Sequence, residues 1–148
     1  MIKPNAILEI KSENLINNFK ALSTIARASI IGATLKANAY GTGDLEIYKL
    51  LYKNHCRHFF FASLEEAITI RKKYKKGNVY VLNGIEAHNF NIFKQFNIIP
   101  ILNSIKELRQ FIKNNGINKK IKIGLQVEIG LNRLGITLKD LASINTYK

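Results

Sequence analysis

Apolar residues along the chain follow two alternating patterns: short compact blocks, and stretches in which they recur at every third or fourth position. The second spacing is that of a helix with one covered face, and the first suits a strand buried on both sides. Residues 6–10 read as a first short strand, and Leu15, Ile16, Phe19, Leu22 and Ile25 then keep helical spacing. Residues 29–36 form an apolar block that ends in Lys36, which predicts a buried strand. Leu45, Tyr48, Leu51 and Tyr52 share one face of a helix over 44–54. Further strands are predicted over 58–62, 79–82, 98–102 and 121–127, with helices between them, one of them over 86–95. Ser63 and Glu66 stand in capping-box relation, as do Ser104 and Glu107, so each pair marks a helix start. A last helix begins near Thr137.

Strand and helix alternating at this rhythm predict parallel βαβ units. Two architectures suit them, an open doubly wound sheet and a (β/α)8 barrel. No G-x-G-x-x-G follows the first strand of the repeat, which argues against the dinucleotide-binding version. A closed barrel needs eight strands. The expected fold class is therefore α/β with five βα units, and either the sheet is open or the chain is a fragment of a barrel. No linker, low-complexity tract or repeat divides the chain, so residues 1–148 read as one domain.

Lys36 is the candidate chemical residue. In parallel α/β folds the C-terminal strand ends form the active face. A lysine emerging there is partly desolvated, which lowers its pKa and frees the neutral amine as a nucleophile. Gly41 and Gly43 let the backbone turn sharply toward the next helix. The plainer alternative is a lysine that snorkels from a strand end to water.

Composition narrows the classes. No stretch is apolar and long enough to span a bilayer, and the first residues lack a secretion-signal layout, so a cytoplasmic protein is expected. A single cysteine, Cys56, excludes an internal disulfide. His55-Cys56-Arg57-His58 is too tight and too poor in further ligands for structural zinc, and no metal is expected. The net charge of +13 raises nucleic acid as a partner. Yet the lysines are scattered, with one dense run over 71–76 at a predicted helix end, where cations meet the negative end of the helix dipole. Lysine outnumbers arginine 18 to 5, a bias that A+T-rich codons produce. No aromatic-interleaved basic platform accompanies the charge, so neither nucleic acid nor membrane is expected as partner.

Leu35-Lys36-Ala37-Asn38-Ala39-Tyr40-Gly41-Thr42-Gly43 resembles the cofactor-lysine signature of alanine racemases, V-K-A-N-A-Y-G-H-G. Three more segments are similar in order and spacing: the strand at 6–10, Phe61-Ala62-Ser63-Leu64-Glu65-Glu66-Ala67, and Gly130-Leu131-Asn132-Arg133-Leu134-Gly135. The resemblance implies pyridoxal 5'-phosphate as cofactor, with Lys36 as its covalent anchor and as one of two catalytic bases. It implies that Tyr40 hydrogen-bonds the cofactor phosphate and that Arg133 lies near the substrate carboxylate. Thr42, Gln126, Glu128 and Ile129 depart from the usual histidine, lysine, aspartate and threonine. Gln126 cannot carry the charge of a carbamylated lysine, although its amide oxygen can accept a bond from Arg133.

The implied activity is interconversion of L- and D-alanine, the latter for peptidoglycan, by a homodimer in which the second base comes from the partner subunit. The fold the resemblance implies is a partial (β/α)8 TIM-type barrel of about five βα units, residues 1–148 being the N-terminal part of the barrel domain, without the remaining barrel strands and the C-terminal β domain. The chain is accordingly expected to be an N-terminal fragment, not active alone. A racemase of serine or broad specificity, a decarboxylase, and a non-catalytic cofactor-binding remnant are the alternatives, and the signature favours racemases.

Overall fold

Phe59, Phe61, Val79 and Leu102 are wholly removed from water, and the strands that carry them form the sheet. Burying each large side chain is worth about 1.5–3 kcal/mol. The computed structural model describes residues 6–115 and 121–144. Helix α1 (Ser12–Ile25) leads to β1 (Ala33–Thr34), a single turn α2 (Lys36–Tyr40) and α3 (Asp44–Lys53). Four strand-helix units follow: β2 (His58–Phe61) with α4 (Leu64–Lys73), β3 (Asn78–Val81) with α5 (Phe90–Phe96), β4 (Ile99–Leu102) with α6 (Ile105–Asn115), and β5 (Gly124–Leu125) with α7 (Leu138–Ile144).

All pairings are parallel, and the strands lie in the order β1-β2-β3-β4-β5. A doubly wound sheet reverses direction at a switch point, whereas barrel strands follow one another in sequence. The order therefore selects the barrel class, here as an open five-stranded sheet.

Alternate strand residues serve two faces. Phe59, Phe61, Val79 and Val81 pack with Tyr48, Leu51, Ala67, Ile70 and Phe93 in the core under the helices. His58, Phe60 and Tyr80 occupy the other face, the one a closed barrel turns inward, and are half-buried. There the Phe60 and Tyr80 rings stack at 4.6 Å, and His58 Nδ1 lies 2.8 Å from the Tyr80 hydroxyl.

Arg71, the first residue of the run over 71–76, stands in the last turn of α4 and is 2% exposed. Its guanidinium donates to the carbonyls of Lys75, Lys76, Gly77 and Asn97, joining the loops that precede β3 and β4. The Tyr48 hydroxyl donates to the same Lys76 carbonyl. Burial pushes the Tyr48 phenol up to about 12. Desolvation pulls the Arg71 guanidinium down from its ordinary value. Cys56 is a buried core thiol, its Sγ directed at the His58 carbonyl at 3.4 Å.

Several expectations need correction. Residues 6–10 form no strand: Ile7 is 86% exposed, and no strand of the sheet pairs with the segment. The strands foreseen over 29–36 and 121–127 shrink to two residues each, since β1 and β5 are ladders bonded along one side only. The helix foreseen over 86–95 starts as a 3-10 turn, Ala87–Asn89, before α5. The apolar face of α1 is covered only in part: Leu15 and Phe19 touch the core, while Leu22 and Ile25 are exposed. Ser63–Glu66 is a complete capping box. In the second pair Ser104 Oγ accepts from the Glu107 N–H, but the Glu107 carboxylate takes the Asn103 N–H instead of the serine's.

Candidate active site

The Leu35 N–H donates to the Phe60 carbonyl at 2.8 Å, which carries the β1 ladder up to Lys36. Thr34 pairs in register with Phe60, so by alternation Thr34 and Lys36 share the inner face with Phe60 and Tyr80. Lys36 is half-buried there. Its amine sits 5.9 Å from the centroid of the Tyr40 ring, and Tyr40 itself is exposed.

The link between these two residues is left-handed. Ala37, Asn38, Ala39 and Tyr40 all have positive φ, between 51° and 56°. For residues with a Cβ this conformation costs about 1–2 kcal/mol each, so the surroundings must hold it. Within the turn Ala39 N–H bonds to the Leu35 carbonyl, and Gly41 and Gly43 N–H groups return to the Asn38 carbonyl. Asn38 Oδ1 accepts from the Asp44 N–H at 3.0 Å, which fixes the entry to α3. From outside, Glu66 Oε1 accepts from the Ala37 N–H at 2.7 Å. The left-handed turn brings Lys36 and Tyr40 side by side.

Arg133 stands elsewhere on the same rim. Its loop follows β5, which lies four strand spacings of about 4.8 Å from β1. The loop is pinned at its base: Gln126 N–H bonds to the Leu102 carbonyl, Ile136 N–H to the Gln126 carbonyl, and Gly135 N–H to the Asn103 carbonyl. Gln126 Nε2 donates to the Leu134 carbonyl at 3.1 Å, so it is the amide nitrogen that braces the residue after Arg133. The Glu128 carboxylate gathers the loop backbone, with N–H groups of Asn132 and then Gly130 foremost in holding it below the usual carboxylate range. Arg133 projects from this loop into solvent. The structure thus joins Lys36 with Tyr40 and leaves Arg133 apart from them.

Two residues escaped the sequence reading. Asn103 is buried at the end of β4, with Nδ2 donating to the Leu82 carbonyl at 2.7 Å and Oδ1 unpartnered among the described residues. Glu66 was visible as a cap, but its bond to Ala37 joins positions 29 residues apart, a distance over which local patterns say nothing.

A sequential parallel sheet with a half-buried amine at the outlet of its first strand is that of the βα-barrel class, in which the C-terminal strand ends form the active face. The profile of the family described as "Alanine racemase, N-terminal domain" matches residues 10–146, and the chain belongs to that family. It is 34% identical over 139 residues to an alanine racemase of Rickettsia africae, covering 93% of this chain and 39% of that protein. An alanine racemase of Rickettsia canadensis is 36% identical over 141 residues, with the same coverage. The chain therefore spans about two fifths of the length of these relatives. Among solved structures, the alanine racemase of Bartonella henselae with covalently bound pyridoxal phosphate superposes with a TM-score of 0.84 at 30% identity, over 93% of this chain and 41% of that one. A histidine racemase of Leuconostoc mesenteroides superposes with a TM-score of 0.79 at 25% identity, over 91% and 37%. Among the described residues, no helix is long and apolar enough to cross a membrane.

Proposed function

We propose that the chain supplies the lysine-bearing part of a pyridoxal-phosphate-dependent alanine racemase that interconverts L- and D-alanine in the cytoplasm and so feeds peptidoglycan synthesis. The observation that carries this is the half-buried Lys36 at the end of β1, beside Tyr40, inside the nine-residue signature. The residues suit the cofactor: a primary amine on an inner face lined by the stacked Phe60 and Tyr80 rings, with a phenol next to it. Pyridoxal phosphate, when bound, supplies an electron sink that makes the α-proton of an amino acid labile.

The rest falls to the protein. Lys36 would anchor the cofactor covalently and move the α-proton on one face. Tyr40 would donate its hydroxyl to the phosphate, a charge-assisted bond. Phe60 and Tyr80 would limit water around the amine. Arg133 would offer a guanidinium fork to the substrate carboxylate. Inversion also needs a base on the opposite face, which this reading assigns to the partner subunit of a homodimer. The remainder of the barrel would cover the free sides of β1 and β5, so the chain would act only with its complement.

The test is to treat the purified protein with pyridoxal phosphate, reduce with borohydride, and map the modified peptides by mass spectrometry. Labelling concentrated on Lys36 is expected; labelling spread over the 18 lysines would refute the assignment. The likeness to a histidine racemase favours a second reading, the same chemistry on a bulkier amino acid. Turnover of alanine, serine and histidine by the complemented enzyme separates the two, and equal rates would sink the alanine assignment.

A further inference from the structure

We infer that Glu66 is the positioning residue for Lys36, its one carboxylate fastening the left-handed turn that presents the amine to the end of β2. The inference rests on the reading of Lys36 as the reactive amine and adds to it the device that aims that amine.

A capping glutamate needs only one oxygen for its task. Here Oε2 does that work, accepting from the N–H groups of Ser63 at 3.2 Å and Ala62 at 2.8 Å. The other oxygen, Oε1, is left to reach across to the preceding βα unit, where it takes the Ala37 N–H at 2.7 Å. The bonds inside α2 link residues close in sequence, and a right-handed turn would offer bonds of the same kind. They do not choose the hand of the turn. The Ala37 bond comes from another element and needs that N–H aimed at the first turn of α4, so it discriminates. It is also an ionic hydrogen bond, stronger than a neutral one. Because it lands on the peptide unit immediately after Lys36, it fixes the direction in which the lysine side chain leaves the backbone. Glu107, the matching residue two units later, takes the Asn103 N–H with its Oε2, and Gly84 stands against its carboxylate, close enough that a Cβ there would lie 2.5 Å from Oε2. Two capping glutamates thus sit alike, and the one beside Lys36 holds the extra bond.

Three variants separate positioning from capping. Glu66→Gln keeps the shape but can accept with one atom only, and Glu66→Asp is one methylene shorter, able to cap but not to span to Ala37. Ser63→Ala weakens the cap and leaves the Ala37 bond alone. Amide hydrogen exchange over residues 37–40, measured without cofactor, is expected to rise about tenfold or more in both Glu66 variants and to stay unchanged in Ser63→Ala. Borohydride labelling with pyridoxal phosphate is expected to lose its preference for Lys36 in the same two variants. Unchanged exchange in Glu66→Gln and Glu66→Asp would overturn the inference, as would equal changes in Ser63→Ala, which would make the residue a cap and nothing more. Wild-type protein that protects residues 37–40 through Glu66 yet never labels at Lys36 would uphold the clamp and refute the cofactor reading instead.

Discussion

Arg71 Nη2 donates to the Asn97 carbonyl at 2.9 Å, tying the last turn of α4 to the residue just before the segment that enters β4. The same guanidinium holds three more carbonyls, and among the described residues no carboxylate lies within ion-pair distance of it. It works as a fork of donors between loops. Replacing it by Met would leave buried carbonyls without partners, a loss of about 2–4 kcal/mol in urea unfolding at neutral pH. Arg71→Lys should recover little of this, because an ammonium cannot span the same set of acceptors.

Tyr48 predicts how stability falls in alkali. Its folded value is raised to about 12 from 10.0, chiefly by burial, so the unfolded chain loses this proton first. Stability is then full below about pH 10 and declines as pH rises toward 12, by roughly 2–3 kcal/mol from this group. Tyr48→Phe should cost about 1 kcal/mol at neutral pH through the lost bond to Lys76, and should flatten the decline between pH 10 and 12. Chemical unfolding of both proteins across that range checks the slope.

Glu128 predicts an acid transition confined to the loop that carries Arg133. Its carboxyl is held below 4.5 by backbone N–H groups, Asn132 foremost, so its contribution is present above that value and lost as pH falls through the folded one. The Gly130 and Asn132 amide resonances should titrate together with a midpoint below 4.5, and Glu128→Gln should abolish the titration.

Gly135 sets the return of the same loop. Its φ is +131°, and a Cβ would lie 2.7 Å from the Glu128 nitrogen and 3.0 Å from the Val127 carbonyl carbon, both backbone atoms that cannot swing away. Gly135→Ala should displace the loop and weaken the bond from Gly135 to the Asn103 carbonyl. Tryptic cleavage after Arg133 is expected to quicken about tenfold, with the thermal midpoint of the sheet little changed.

The three middle strands were legible because each is an apolar block buried by neighbours on both sides, as with Phe59, Phe61, Val79 and Val81. Sequence blocks overstate the edge strands, since apolar composition records burial and not how many residues find a ladder partner. Residues 6–10 show the same limit, having strand composition and no ladder partner among the described residues. At the candidate site, the position of Lys36 followed from the end of an apolar block, while the hand of its turn did not. Ala37 and Ala39 are strong helix formers, and nothing local announces positive φ there. Arg71 was hidden for a related reason: amid five other residues of a basic run, its burial depends on loops that meet only in the folded chain.

Because every strand bonds only to its neighbours in sequence, the sheet can be laid down in the order of synthesis. Contacts between successive units are short-range along the chain, which favours quick formation with little loop entropy lost. The surroundings of Lys36 draw on β1 to β3, on α2, and on the first turns of α3 and α4. Its lodging would thus be finished on the ribosome well before the segment bearing Arg133 emerges, so that the amine end of the rim matures first and the guanidinium end is fitted to it.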